Sequence, residues 1–504
     1  MTDRILSSVY RAKMMSADDA ALLIKHSDTI GMSGFTGSGY PKAVPQALAE
    51  RVREERGAGK NFRVSVWSGA STGPELDGAL ARADGIACRL PYQADPDCRD
   101  AINAGVIEYT DLHLASVAAY ARAGCLGKLD WAIIEVVKVH EDGNLVPGTS
   151  VGNNQLWIDL AERVIIEVNQ WHTEKLEGMH DIPGYADNGY TALSQIKAPS
   201  DRIGSPYLSC PFEKVAAVVA TELPDRNSPF ASPDAVSKDI AAHIVDFLKY
   251  EIRAGRIPPN LLPLQTGVGN IANAVLSGFA AAGFEGMTAY TEVIQDSMLE
   301  LLLTGSMASA SATAFSLSPN IADKMHDIAQ KLQGRIVLRP QDISNSPEII
   351  RRLRCIAINA MIEADIYGNV NSTCIMGSRM QNGIGGSADF SRNAFLSFFV
   401  SPSRTKNGAI SCIVPMTPHV DHSEHDVHIL VTEQGIADLR GLPPKKRALS
   451  IINNCAHPDY RPALHDYFMR AQRCSFGKHT PHLLDEALSW HERFIRTGRM
   501  LRNL

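Results

Sequence analysis

Short apolar runs rich in β-branched residues alternate along this chain with longer stretches in which apolar positions recur every three or four residues. Residues 29–35 read as a strand that runs into a glycine-rich turn and then a helix over 45–55. Residues 62–67 form another apolar strand ending in a Gly/Ser/Thr turn, and 130–139 and 163–168 are further strands. This alternation predicts an α/β fold with largely parallel sheets. An amphipathic helix over 237–256 follows a proline-containing stretch at 225–233. The domain boundary is placed there, giving an N-terminal domain over 1–225 and a C-terminal domain over 226–504.

The second half restarts the theme with a strand at 261–266, a Gly267-Val268-Gly269-Asn270 turn and a helix over 271–279. Three pairs of segments look like weak internal copies in the same order. Residues 33–48 resemble 266–276. Ile134-Glu135 followed by Gly143-Asn144 resembles Ile362-Glu363 followed by Gly368-Asn369. Val164-Ile165-Ile166-Glu167 resembles Leu430-Val431-Thr432-Glu433. Chance among α/β sequences is one explanation; two domains of one fold facing each other is the other.

Length fits the second explanation, because 504 residues exceed one ordinary core. A composition of 45% hydrophobic and 21% charged residues is that of a folded globular protein. A formal charge of -6 leaves no electrostatic footprint for nucleic acid or an anionic membrane, though a local basic pocket for a phosphorylated ligand stays open. The apolar stretch at 272–283 falls short of a membrane span, and the N-terminus carries no secretory pattern. Nine scattered cysteines without a Cys-x-x-Cys pair suit free thiols in a reducing compartment, so a cytoplasmic location is expected.

Candidate chemistry concentrates in 261–296. The Gly267-x-Gly269-x-x-Ala272 turn follows a strand and opens a helix, and exposed N–H groups at such a turn attract anions and oxyanions. A second strand, 287–290, ends in Thr291-Glu292, where parallel sheets place ligand chemistry. The same spacing also fits a dinucleotide fingerprint, with Glu292 about 25 residues beyond Gly267. Pro263, inside the expected first strand, counts against that alternative. Gly383, Gly385 and Gly386 permit close backbone approach to a ligand, or mark a flexible turn. The cluster at 33–42 fails the ATP phosphate-loop pattern because Tyr40 follows Gly39. His419, His422, His425 and His428 lack metal-ligand spacing, and His428 falls in an expected strand; the run reads as a polar loop, and no metal is expected. The basic run at 351–354 reads as a solvated helix face.

Taken together, Gly34-Phe35-Thr36-Gly37, Gly69-Ala70-Ser71-Thr72-Gly73, Gln265-Thr266-Gly267-Val268-Gly269-Asn270, Tyr290-Thr291-Glu292-Val293-Ile294-Gln295-Asp296, Gly368-Asn369-Val370-Asn371-Ser372, Gly383-Ile384-Gly385-Gly386-Ser387 and Val431-Thr432-Glu433-Gln434-Gly435 resemble the acetyl-CoA hydrolase/transferase family of class I CoA-transferases. The likeness runs nearly end to end and leans toward the bacterial succinyl-CoA:acetate type. It implies two related NagB/RpiA-like α/β domains with the active site in the cleft between them, and a homodimer. It implies Glu292 as catalytic glutamate, with Val268 and Gly386 as backbone donors of an oxyanion hole. Arg226, Asn345 and Glu433 fall on positions that orient the nucleophile or the CoA chain. Phe35, Thr36, Gly37 and Ser71 would shape the carboxylate pocket, and Gly267, Gly269, Asn270 and Gly385 would line the substrate. Expected partners are CoA thioesters and small carboxylates, with no cofactor beyond coenzyme A. Acetyl-CoA hydrolysis, another short-chain acceptor such as propionate or butyrate, and more distantly an NAD-dependent dehydrogenase are the alternatives.

Overall fold

The computed structural model describes residues 3–184, 195–227 and 233–501, and the chain divides into two compact units. The first comprises 1–229 and 288–353; the second comprises 230–287 and 354–504. Part of the expected boundary stretch, 228–232, lies outside the described residues. A single cut after residue 225 does not describe this division, because 288–353 packs with the first unit. Val151 N–H donates to the Thr313 carbonyl at 2.9 Å, and Phe315 N–H to the Thr149 carbonyl at 2.9 Å. A fully buried ion pair joins Arg339 to Asp181.

The strands of 29–221 are β1 (Thr29–Met32), β2 (Val64–Trp67), β3 (Ile86–Leu90), β4 (Glu108–Tyr109), β5 (Trp131–Val139), β6 (Leu145–Pro147), β7 (Arg163–Asn169) and β8 (Val215–Thr221). They form one sheet of order β4-β3-β2-β1-β5-β7-β8, parallel throughout, with β6 antiparallel on β5. Strand β5 is buried at nearly every position, as a central parallel strand covered on both faces must be. The helix Ala43–Gly57 lays Val44, Leu48 and Val52 on Ile30, Val64, Ile133 and Ile165 of the sheet. Its N-terminus is fixed by Glu167, whose carboxylate accepts the N–H groups of Lys42, Ala43 and Val44 at 2.6–3.1 Å. Three orphan donors of the first turn are thus satisfied by one buried carboxyl group.

Later in the chain come β9 (Leu264–Thr266), β10 (Met287–Tyr290), β11 (Val293–Gln295), β12 (Met307–Ala312), β13 (Ala314–Ser316), β14 (Ile336–Leu338), β15 (Ile356–Ala360), β16 (Glu363–Asp365) and β17 (Val370–Asn371). In the first unit β11 pairs in parallel with β13, and β12 with β14. In the second, β9, β15, Leu396–Val400 and Ile429–Thr432 run parallel in that order. This repeats β1, β5, β7 and β8, and the antiparallel β16–β17 pair repeats β5–β6. Two of the three expected internal copies follow this correspondence. The third is off by one strand: Leu430–Thr432 stands where β8 does, and Leu396–Val400 where β7 does. Its apolar pattern is common to all central parallel strands and carries no register information. Among the described residues no helix is long and apolar enough to cross a membrane.

Candidate active site

In the first unit β1 gives way at once to a tight loop. Phe35 and Ser38 exchange backbone hydrogen bonds at 3.0 and 3.1 Å, and Thr36 N–H donates to the Ala70 carbonyl at 2.8 Å. Gly34 has φ +118°, and a Cβ there would lie 2.5 Å from that of Tyr40, so only glycine fits the start of the loop. Phe35, Ala70, Leu114, Val293 and Ala314 form one apolar cluster. Val293 directly follows Glu292, so the expected carboxylate-pocket loop and the expected nucleophile segment are packed together.

Glu292 is half-buried and sits between β10 and β11. Its backbone is clamped: Thr313 and Ala314 N–H groups donate to its carbonyl at 2.9 and 3.2 Å. The preceding Thr291 N–H donates to the Ser311 carbonyl at 2.9 Å. Asn345 is fully buried at the end of the short helix Gln341–Ser344, and its Nδ2 donates to the Gln341 carbonyl at 3.1 Å. Gln341 ties this helix down, through its N–H to the Gly152 carbonyl at 2.9 Å and its Nε2 to the Leu114 carbonyl at 3.2 Å. Arg226 meets the loop through its N–H, which donates to the Gly37 carbonyl at 3.2 Å. Its half-exposed guanidinium lies 3.1 Å from Glu75 Oε1. The Ser71 hydroxyl turns into its own loop, donating to Gln93 Oε1 at 2.9 Å and accepting from Ala94 N–H at 3.2 Å.

The remaining expected residues lie in the second unit. Pro263 precedes β9 rather than interrupting it, which leaves a three-residue strand. Gly267 N–H donates to the Ile358 carbonyl at 2.9 Å, and Gly269, with φ +123°, caps the helix Asn270–Ala281. Between them lies Val268, 48% exposed, two residues before the helix. Gly385 has φ +57°, and Gly386 caps the helix Ser387–Asn393. Glu433 follows Ile429–Thr432. Its carboxylate accepts from Ser403 N–H at 2.8 Å, the Ser403 hydroxyl and Gln434 Nε2 at 3.0 Å. Burial raises its pKa, but these donors outweigh burial and hold it below the ordinary glutamate value.

Sequence reasoning missed two supports. Of the four histidines, His422 is buried, its Nε2 3.2 Å from the hydroxyls of both Ser372 and Ser387, beside the Gly385-Gly386 turn. His428 precedes the Ile429–Thr432 strand instead of lying in it. The second support is a buried charge cluster behind the 34–39 loop. Ligand atoms of Glu135, His172 and Asp225 lie within 4.8 Å of one another, a spacing that suits a metal. The Lys42 ammonium already supplies a cation there, 2.7 Å from Glu135 and 3.0 Å from Asp225. Burial acts to discharge Lys42, while Glu135 and Asp225 hold its pKa above the ordinary lysine value. Asp225 is likewise raised by burial, but Lys42 and His172 outweigh this and keep it below the usual aspartate range. A cavity of about 240 Å³, lined by Ser38, Thr149, His172, Asp225 and Phe315, adjoins the cluster. Phe315 follows Ala314 on β13, so this cavity lies on the opposite strand face from the Phe35 cluster.

The acetyl-CoA hydrolase/transferase N-terminal domain model matches residues 2–187, and the corresponding C-terminal domain model matches 322–468. The chain belongs to the acetyl-CoA hydrolase/transferase family. Members of this family similar to it include the succinyl-CoA:acetate CoA-transferase of Clostridium kluyveri, 46% identical over 99% of this chain and 92% of the relative. The propanoyl-CoA:succinate CoA transferase of Escherichia coli is 44% identical over 97% and 98%. The acetyl-CoA hydrolase of Schizosaccharomyces pombe is 42% identical over 99% and 98%. Among solved structures, RipA from Yersinia pestis matches with a TM-score of 0.70 at 22% identity, covering 91% of this chain and 97% of that one. That likeness establishes the shared fold. As a member of the acetyl-CoA hydrolase/transferase family, the chain is an enzyme of CoA-thioester transfer or hydrolysis.

Proposed function

We propose that this enzyme moves coenzyme A from succinyl-CoA to acetate, with Glu292 as the nucleophile. The observation that carries the role of Glu292 is its placement at the carboxyl end of β10, with its backbone carbonyl held by Thr313 and Ala314 N–H groups and its neighbour Val293 in one apolar cluster with Phe35. A positioned carboxylate at such a strand end suits covalent acyl chemistry. The substrate pair is supported by the near full-length likeness to the Clostridium kluyveri enzyme.

The chemistry follows from the weakness of a carboxylate and the activation of a thioester. Glu292 attacks the succinyl carbonyl; the tetrahedral oxyanion collapses, the C–S bond breaks, and CoA thiolate leaves behind a succinyl–glutamyl anhydride. The thiolate then attacks the glutamyl carbonyl, expelling succinate and forming a glutamyl–CoA thioester. Acetate attacks that carbonyl and releases the thiolate, leaving an acetyl–glutamyl anhydride. The thiolate takes the acetyl group as acetyl-CoA and frees the Glu292 carboxylate. One thioester is exchanged for another, so the balance needs no ATP, nicotinamide or metal. Each step passes through an oxyanion. The backbone donors assigned to it from the family resemblance, Val268 and Gly386, are each worth on the order of 3 kcal/mol at such a site.

Initial-rate kinetics test this sequence. Varying succinyl-CoA and acetate together should give the parallel double-reciprocal lines of a ping-pong mechanism. Intersecting lines would overturn it. The second reading is acetyl-CoA hydrolysis, favoured by the likeness to the Schizosaccharomyces pombe enzyme. It uses the same glutamyl intermediates with water as acceptor. CoA release that acetate does not suppress would support it.

A further inference from the structure

We infer that Asp225 is a positioning residue for acyl transfer, coupling the 34–39 loop to the β11–β13 strand pair that directly follows Glu292. The role rests on the transferase reading above.

The carboxylate of Asp225 makes two divergent contacts within the first unit. Oδ1 accepts the Gly39 N–H at 3.1 Å, at the end of the loop containing Phe35, Thr36 and Gly37. Oδ2 accepts the Thr149 hydroxyl. The Thr149 carbonyl in turn accepts Phe315 N–H at 2.9 Å. Phe315 stands opposite Ile294 in the β11–β13 pairing, two residues beyond Glu292. The next residue, Ser150, bridges Ala314. Asp225 therefore holds the loop and the β11–β13 pair that follows Glu292, while Phe35 and Val293 share one apolar cluster.

The anion is suited to this task because it is fixed electrostatically as well as sterically. It is buried, and Lys42 at 3.0 Å keeps it charged, while Glu135 and the Tyr40 carbonyl hold Lys42 in place at 2.7 and 2.8 Å. Charge-assisted hydrogen bonds of this kind are stronger and more directional than neutral ones. A reacting carboxylate must be held near attack geometry, and an error of about 1 Å costs on the order of a hundredfold in rate. Neither Asp225 nor Thr149 need touch substrate to act this way.

The test compares Thr149→Val, which deletes the hydroxyl at constant shape, with Thr149→Ser, which keeps it, and with Asp225→Asn. Exchange of CoA between succinyl-CoA and acetate is measured for each, with the KM of both substrates and the melting curve. For Thr149→Val the expected result is a fall in kcat of about tenfold or more, with the KM for succinyl-CoA changed less than about twofold. Thr149→Ser should restore most of the rate, and Asp225→Asn should lose at least as much as Thr149→Val. A Thr149→Val enzyme that melts lower but turns over like wild type would overturn the positioning role and leave a structural one. If Asp225→Asn fails to fold, the Thr149 pair still decides. Wild-type enzyme without exchange activity would overturn the parent reading and this role together; wild-type exchange with unchanged variants would overturn this role alone.

Discussion

At the scale of single residues, the position of Glu292 just beyond a strand was legible because its sequence context is local: an expected strand, 287–290, followed by Thr291 and the acid. Replacing it with Ala should abolish transfer while leaving the fold intact, since the side chain is half-buried and the backbone clamps from Thr313 and Ala314 do not depend on it. Activity assays beside circular dichroism check both halves. Glu292→Asp should also fail, because retracting the carboxylate by about 1.5 Å, one carbon–carbon bond, spoils attack geometry. Wild-type turnover by the Asp variant would count against a positioned nucleophile. Asp225 was not legible, because its meaning lies in a contact to Gly39, 186 residues away. Gly39 gives a steric prediction. It has φ +63°, and a Cβ there would lie 2.4 Å from Ser150 Oγ and 2.8 Å from Ser150 N. Gly39→Ala should cost on the order of 1–3 kcal/mol of stability, seen as a lower urea midpoint; an unchanged midpoint would show that the loop yields.

At the scale of elements, helices were expected over 45–55, 237–256 and 271–279, and all three are present, whereas helices such as Pro96–Asn103 and Asp296–Thr304 were not anticipated. The first of the three is Ala43–Gly57 against an expected 45–55. The strand at 261–266 shrank to Leu264–Thr266 because Pro263 has no N–H to give a ladder. The long helix Ala235–Arg253 carries an ion-pair network the sequence did not announce. Glu251 meets Arg256 at 2.6 Å and Arg440 at 2.9 Å. Hydrogen bonds from Arg256, opposed by burial and aided by Arg440, pull its pKa down to about 2. A depressed carboxylate stabilises the fold above its unfolded pKa, and that contribution is lost as pH falls from about 4.5 toward 2. Glu251→Gln should therefore lower the urea midpoint clearly at pH 7 and less at pH 3. An equal loss at both pH values would show that the pair contributes through packing instead of charge.

At the scale of the whole molecule, the α/β class was visible in the alternation of apolar runs, and two of three weak internal copies pointed to the repeated strand order that the sheets show. The membership of 288–353 in the first unit was not, since contacts such as Arg339 to Asp181 span 158 residues and leave no local pattern. Family membership follows from ordered motifs along the full chain, whereas acyl specificity is not written in any one motif. Under the proposed mechanism, transfer and hydrolysis differ in what reaches the glutamyl intermediate, acetate or water. That intermediate is the most direct object to measure. The enzyme is incubated briefly with succinyl-CoA and no acceptor, digested, and its peptides are weighed by mass spectrometry. A CoA adduct on the peptide containing Tyr290 to Asp296, lost on adding acetate, is the predicted result. Acyl exchange with the mass carried on another segment would contradict Glu292 as the nucleophile.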